Sequence, residues 1–264
     1  MGTVDISLLQ LLVGLLLVLI PGAILYNYRT GIVGAMFISV ARMVVQLFLV
    51  GFYLNYLFAW NNIWVNAAWL LLMTGVCTID LLRRIKLSVK LLFIPVYVSI
   101  FIALVLIASF FLKAVLNIEN LFDSHYFIPV CGILLGNILS SNVIGLNAFY
   151  DGMVKEQSFY NYMLCNGATV KEATKPFFRA ALIKSFNPTI ASMAAMGLIS
   201  LPGTLIGQII GGNSPDIAIR YQIMIMVIIM ASSIISLWLS MKWSIRQTLN
   251  DYGNIKMDNL TREK

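Results

Sequence analysis

The stretch from Tyr160 to Gly212 reads YNYMLCNGATVKEATKPFFRAALIKSFNPTIASMAAMGLISLPGTLIGQIIGG. Its first half is basic and helix-forming and contains Gly167-Ala168-Thr169. Its second half is an apolar span that Leu201-Pro202-Gly203 interrupts. The other long apolar stretches are typical of almost any protein that crosses a bilayer several times. This stretch is therefore the part of the sequence that best distinguishes the fold and function of this chain from those of other membrane proteins.

Composition sets the class, because a chain of 264 residues that is 60% hydrophobic and 11% charged cannot build one soluble core with a polar shell. Crossing the hydrocarbon takes roughly 20 apolar residues as helix. Continuously apolar runs, without the period-two alternation of barrel strands, predict about seven transmembrane helices in a single all-α membrane domain over 1–264. The predicted spans are 6–26, 36–58, 62–82, 89–112, 126–149, 186–211 and 217–241.

The distribution of Lys and Arg predicts the orientation, because cationic loops stay in the cytoplasm. Cations collect in alternate loops, in 83–90 and 155–184, and in a predicted tail over 244–264. With an odd number of spans, the N-terminus is then outside and the C-terminus inside, in the cell (inner) membrane. The net charge of +7 fits this topology and contact with anionic lipid in the bilayer, rather than nucleic acid binding.

Catalytic signatures are missing from the sequence. No Gly-Lys dipeptide occurs, so the chain has no phosphate loop of its own for ATP hydrolysis. His125 is the only histidine, and no Ser/His or His-x-x-x-His arrangement accompanies it. We therefore expect a non-catalytic protein without a cofactor in this chain, and the sequence does not identify ligands for a metal ion.

The cytosolic loop over 150–184 predicts a helix-Gly-helix elbow. Residues 151–164 can form a helix along the membrane surface, Gly167 can end it, and Thr169 can cap the next helix with Glu172 at its third position. Because a mere connection could be shorter, the elbow indicates a docking surface. A solvated amphipathic helix without a partner is the alternative interpretation.

Ordered motifs along the chain resemble the FetB-like family of ABC transporter permeases. They lie in 42–51, 128–137, 166–182 and 188–223. Their anchor residues are Arg42, Gln46, Gly51, Pro129, Gly132, Gly136, Asn137, Gly167, Ala168, Thr169, Glu172, Ala173, Arg179, Pro188, Gly197, Pro202, Gly203, Gly207, Pro215, Arg220 and Gln222. The match covers nearly the whole chain and is strongest from about 128 to 223.

The resemblance implies a permease that pairs with a separate cytosolic ABC ATPase, which holds the ATP and Mg, and with a second copy of itself. Bacterial members are described as iron exporters in metal ion homeostasis, and plant members are linked to aluminium tolerance. The elbow resembles the coupling loop of permeases. The residues implied for coupling to the ATPase are Gly167, Ala168, Thr169, Glu172 and Ala173.

Polar groups inside the predicted spans indicate a conduit. Arg42 and Gln46 share a helical stripe with Tyr53 and Tyr56, and Asn137 and Ser141 share one with Ser140 and Asn147. Snorkelling of Arg42 to the inner interface, and helix packing through the small polar residues, are the alternatives. The Pro202-Gly203 break near Ser200 predicts either a hinge or cargo site, or else a passive kink. The translocation path so predicted comprises Arg42, Gln46, Asn137, Ser141, Ser200, Pro202, Gly203, Gln208 and Gln222.

The function expected from the sequence is thus that of a permease subunit in an ATP-driven exporter of metal ions. A secondary transporter or channel that needs no ATPase is the alternative, although it would be expected to carry embedded carboxylates. A membrane-embedded enzyme would need a nucleophile and a base, which the sequence does not supply.

Overall fold

The protein is an all-α polytopic membrane protein. The computed structural model describes residues 7–250. Ten α-helices form the described chain, with one 3₁₀ turn at Leu16–Val18 and one π-helical turn at Phe111–Val115. The helices are α1 (Leu8–Leu15), α2 (Leu19–Asn27), α3 (Val33–Trp60), α4 (Ile63–Arg84), α5 (Val89–Phe110), α6 (Ser124–Lys155), α7 (Gln157–Cys165), α8 (Val170–Ala195), α9 (Gly203–Ile210) and α10 (Pro215–Thr248).

Six segments of the described chain are long and apolar enough to cross a membrane. They are Leu8–Asn27, Val33–Trp60, Ile63–Arg84, Val89–Val115, Ser124–Lys155 and Pro215–Thr248. The predicted single span over 186–211 is not among them, because that region is divided between α8 and α9. The charged residues of α8 lower its hydropathy, and a turn over 196–202 interrupts its continuation.

The core of the molecule is a bundle of α4, α5, α6 and α10. Asn142 of α6 donates to Ser236 Oγ of α10 at 3.1 Å, and a Cβ at Gly145 would lie 2.6 Å from Leu237 Cδ1. Residue 142 pairs with 236 and residue 145 with 237, so the residue numbers of the two helices increase in the same direction and α6 and α10 run parallel. The buried face of α10 carries small hydroxyl residues, which let neighbouring helices approach closely. These residues are Ser232, Ser233, Ser236, Ser240, Ser244 and Thr248.

Because α6 and α10 are parallel, the chain between them must return along the length of the bundle. α8 makes most of this return, antiparallel to α6. The Ser185 hydroxyl donates to the carbonyl of Ser141 at 2.7 Å, and the rings of Phe178 and Phe149 lie 5.0 Å apart. The buried residues of α8 end at Phe186. The rest of α8 therefore leaves the bundle before the turn.

The N-terminal helices α1, α2 and α3 contact the bundle sparsely. Only the C-terminal end of α3 packs on it, where the Tyr53 ring lies 4.5 Å from the Trp69 ring and Phe58 stacks on His125. Leu57 is the one buried residue of this helix. From Val33 to Phe52, no residue of α3 is buried. The part of α3 from 33 to 52 is therefore separated from the bundle.

The structure moves two predicted boundaries. α6 continues without a break to Lys155, so the surface helix predicted over 151–164 is only α7, after a kink at Glu156. α10 extends to Thr248, so the first residues of the predicted tail over 244–264 are helical, and its part from 251 onward lies outside the described residues. In both places, charged residues continue a helix beyond the apolar run, because a helix does not need to end where the hydrocarbon does.

Candidate functional site

The α7–α8 elbow consists of α7, the turn 166–169 and the first two turns of α8. Gly167 adopts φ +87°, which only glycine occupies without strain, and the next backbone N–H, of Ala168, donates to Met163 O at 3.0 Å. The predicted capping box is present in both directions. Thr169 Oγ1 accepts from the Glu172 backbone N–H at 3.3 Å, and Glu172 Oε2 accepts from the Thr169 N–H at 2.8 Å.

The capping box also acts on the charge of Glu172. The Thr169 hydroxyl donates to its carboxylate at 2.7 Å, and this bond and the backbone bond favour the ionised form. They hold the pKa of Glu172 below its ordinary value, with a smaller contribution from Lys171 and Lys175. The first turn of α8 is thereby stabilised above the ordinary pKa of Glu172.

The elbow is anchored to the end of α6 through aromatic packing. Tyr160 of α7 is buried, with its ring 6.4 Å from that of Phe177, and a Cβ on Gly152 would meet the same Phe177 ring at 3.3 Å. Of the predicted coupling residues, Ala173 is buried in this anchor. Gly167, Thr169 and Glu172 are exposed, and Ala168 is half-buried. The apex of the elbow is therefore available to a partner, whereas Ala173 supports it from below.

The α8–α9 break occupies 196–202. Gly197 adopts φ +84°, and its N–H donates to Ser200 O at 3.1 Å. Pro202 lies after the break and caps α9 with an extended backbone. The interruption predicted at Pro202-Gly203 is thus centred earlier in the chain, because a proline fits the start of a helix and disfavours helical geometry in the residue before it.

The break lies towards the end of the bundle at which α10 begins. The Thr204 hydroxyl of α9 donates to Gln222 Oε1 of α10 at 2.5 Å. Gln222 is seven residues after the start of α10 at Pro215, about 10 Å along the helix axis. Leu198 and Ile199 at the tip of the turn are 92% and 86% exposed. The break is therefore shallower than the mid-membrane position typical of transporter helices.

α6 has one side that no neighbouring helix covers. We call this side, together with Lys184, the open face; it includes Gly136, Ser140, Asn147 and Lys184, which are exposed, and Ile144 is exposed beside them. The Ser140 hydroxyl donates only to Gly136 O, at 3.1 Å in its own helix. Lys184 directly precedes Ser185, which contacts Ser141. Ser140 likewise directly precedes Ser141. In two antiparallel right-handed helices, the residues that precede a contact pair lie on the same side of the contact, so Lys184 and Ser140 share a side.

Arg42 and Gln46 point from α3 towards the bundle. They share a helical face with Tyr53, and Tyr53 packs on Trp69 of α4. Both are exposed, and Arg42 has no ion-pair or hydrogen-bond partner among the described residues. Since α3 separates from the bundle below Tyr53, this stripe faces the space between α3 and the bundle.

The structure thus separates the predicted path residues into three places. Arg42 and Gln46 lie on the inward stripe of α3. Asn137 and Ser141 are engaged within α6, since they donate to Ile133 O at 2.9 Å and to Asn137 O at 2.6 Å. The remaining predicted residues lie at the α8–α9 break, where Gln222 is buried and the others are exposed or half-buried. These are Ser200, Pro202, Gly203, Gln208 and Gln222.

Sequence reasoning missed Lys184, which counted only as a loop cation. The sequence did contain an indication that Lys184 lies within a membrane helix: after Arg179, the mostly apolar stretch 180–191 contains Lys184 as its only cation, directly before Ser185. Among the described residues, no three His, Cys, Asp or Glu side chains come together in a way that could hold a metal ion.

Known proteins resemble this chain along most of its length. It is 25% identical to the "probable iron export permease protein FetB" of Escherichia coli over the full length of both chains. It is 29% identical to "Protein ALUMINUM SENSITIVE 3" of Arabidopsis thaliana, over 84% of this chain and 80% of that protein. It is 26% identical to the membrane protein YjkA of Bacillus subtilis, over 85% and 88% respectively. No solved structure matches it.

The match to a family model is equally extensive, since it begins in α1 and ends just after α10. The helices, the elbow and the open face all fall within the matched residues 8–249. The chain therefore belongs to the uncharacterised protein family UPF0014, whose relatives named above include a permease.

Proposed function

We propose that this chain is the membrane-spanning permease subunit of an ATP-binding cassette transporter that exports metal ions, with iron as the principal candidate. ATP and Mg bind to a separate cytosolic ATPase subunit. The observation that carries this proposal is the α7–α8 elbow. The capping box and the buried aromatic anchor make the elbow a rigid projection at the end of the bundle, which suits a surface that receives force from a partner.

The metal in this proposal comes from a relative. The name of the Escherichia coli protein, whose whole length this chain matches, describes a probable iron export permease. The name of the Arabidopsis protein refers to aluminium sensitivity. Aluminium is a trivalent ion, and iron is also trivalent as Fe(III), so the two names are consistent with a trivalent metal as cargo.

A second copy of the chain is part of the same proposal. The stripe of α3 and the open face leave polar and cationic groups uncovered at the depth of the membrane, and groups of this kind face protein or water rather than lipid. A paired subunit would close this space into a conduit. The expected location is the cell (inner) membrane, with the elbow in the cytosol.

Co-expression with the ABC ATPase encoded nearest to this chain tests the proposal. The two chains should co-purify, and proteoliposomes that contain both should move ⁵⁵Fe only with MgATP. An ATPase whose phosphate-loop Lys is replaced by Ala is the matched control, because it can still dock. Iron flux that needs no ATP and no partner would overturn the proposal in favour of a secondary transporter or channel.

A further inference from the structure

We propose that the conduit accepts cargo that carries net negative charge, so that a metal crosses as an anionic complex with oxygen ligands and not as a bare cation. The cations that select this cargo are Arg42 of α3 and Lys184 of α8. This inference rests on the proposed transport function and specifies its substrate class.

Both cations lie inside the membrane at a similar depth. Phe58 of α3 stacks on His125 of α6, and Arg42 is 16 residues before Phe58, about 24 Å along the axis from this shared contact. Lys184 adjoins Ser185, which contacts Ser141, and Ser141 is 16 residues after His125, also about 24 Å along α6. Approached from the cytosol, the two side chains thus come at nearly the same level.

Both cations are also uncompensated. Both are exposed, and neither has an ion-pair or hydrogen-bond partner among the described residues. Lipid is a poor neighbour for a charge, so cations at this depth face a bundle interior or a water-filled cavity. The directions of the two helices fit this rule, because Arg42 shares the face of Tyr53 and Lys184 shares the side of Ser140.

The carboxylates of the described chain do not offset these cations. Asp80 is held by Arg84 at 2.8 Å in the last turns of α4. The other described carboxylates lie in loops or close to helix ends: Glu119, Asp123, Asp151, Glu156, Glu172 and Asp216. A bare Fe²⁺ at the level of Arg42 and Lys184 would meet two like charges, whereas citrate or phosphate ligands around the metal would meet two hydrogen-bonding cations.

Binding of ⁵⁵Fe(III)–citrate to the full chain in lipid nanodiscs tests the inference. The comparison probe is ⁵⁵Fe²⁺ kept reduced without a chelator. The wild-type chain should bind the citrate complex more tightly than Fe²⁺. Arg42→Gln and Lys184→Gln should each weaken binding of the complex about tenfold, a difference of about 1.4 kcal/mol.

Three controls make the result specific. Arg42→Lys and Lys184→Arg keep the charge and should retain most of the binding. Lys113→Gln removes an exposed cation at the outer end of the chain and should leave binding unchanged. Metal-free citrate should compete with the complex on the wild-type chain, which tests anion recognition even if a Gln variant does not fold.

Binding that is indifferent to both Gln substitutions would mean that the two side chains only snorkel to the inner interface, and it would overturn the inference. Tighter binding of Fe²⁺ than of the complex would also overturn it. Charge-dependent binding without ATP-driven flux would contradict the proposed function and leave this inference intact. ATP-driven export of Fe²⁺ that both Gln variants retain would overturn this inference and support the proposed transport function.

Discussion

Gly145 lies where α6 and α10 are in close contact. A Cβ there would lie 2.6 Å from Leu237 Cδ1 and 3.0 Å from its Cγ, and Leu237 is itself fully buried. We expect Gly145→Ala to destabilise the protein by about 1–3 kcal/mol, since the packed leucine has to shift. The measurement is the thermal midpoint of the purified chain in detergent.

The control for this substitution is Gly132→Ala in the same helix, because a Cβ at Gly132 meets nothing within 4 Å. It should leave the midpoint unchanged or raise it slightly, as alanine favours helix more than glycine does. Equal destabilisation by both substitutions would contradict the close contact between α6 and α10.

Gly167 is needed for its backbone angle alone, since its Cβ position is empty and its φ is +87°. Gly167→Val should cost about 1–3 kcal/mol of local strain and displace the elbow apex. Metal-stimulated ATPase activity of the complex should fall at least tenfold, while insertion of the permease in the membrane stays normal.

Gly167→Asn is the matched variant, because asparagine enters the left-handed region more readily than other residues do. It should retain most of the coupling. If Gly167→Val retains both co-purification and transport, the elbow is not the docking site of the ATPase.

At the scale of the helix, the start of α8 depends on pH through Glu172. The folded pKa of Glu172 is lowered, so its stabilising effect is complete above the unfolded value and is lost as the pH falls through the folded value. Amide hydrogen exchange in 169–175, corrected for intrinsic rates, should become less protected on acidification.

Glu172→Gln provides the control, because glutamine also completes a capping box and does not titrate. Its protection in 169–175 should be independent of pH across the acidic range. A pH response that persists in this variant would assign the effect to another group.

The α8–α9 break should survive the loss of its proline. Pro202 only starts α9, whereas the turn itself requires Gly197 at φ +84° and holds six residues before Pro202 outside any helix. A continuous helix would place Ala191 and Gln208 about 25 Å apart. We expect the distance between spin labels at these two positions to be unchanged in Pro202→Ala and altered in Gly197→Ala.

A Pro202→Ala distance that moves to the continuous-helix value would show that proline alone maintains the break. Substrate-stimulated ATPase activity should follow the same order, with the larger loss in Gly197→Ala. Activity that holds in both variants would make the break a structural kink and remove Ser200, Pro202 and Gly203 from the translocation path.

The sequence was informative where one residue imposes a local geometry. Gly167 and the Thr169–Glu172 capping box were predicted correctly because each depends on a few adjacent residues. Six of the seven predicted spans correspond to long apolar helical segments, because apolar length is a strong signal, whereas the span predicted over 186–211 does not. The centre of the α8–α9 break was misplaced because Gly197 needs a positive φ only in this tertiary setting.

The candidate site was less predictable, because it depends on how helices pack. Asn137 and Ser141 read as path residues, yet they bond within α6, while the side of α6 that carries Ser140 is uncovered. Lys184 reaches the level of Arg42 only because α8 runs beside α6, and the sequence does not show which helices are neighbours. Periodicity gives the face of a helix but not the neighbour that covers it.

For the whole molecule, the parallel course of α6 and α10 fixes which loops share a side. The loop that holds Glu119 precedes α6, and Asn213 precedes α10, so both lie at the same end of the bundle. The elbow follows α6 and lies at the other end. The Lys and Arg distribution predicts that the elbow lies in the cytosol.

Native cysteines allow this topology to be tested with few changes, since Cys165 of the elbow is exposed while Cys77 and Cys131 are buried. A membrane-impermeant maleimide should label wild-type Cys165 in inverted vesicles and not in intact cells. In a Cys165→Ser background, Glu119→Cys and Asn213→Cys should both be labelled in intact cells. Labelling of Glu119→Cys and Asn213→Cys from opposite sides would contradict the parallel helices, whereas labelling of Cys165 in intact cells would reverse the orientation and place the elbow out of reach of any cytosolic ATPase.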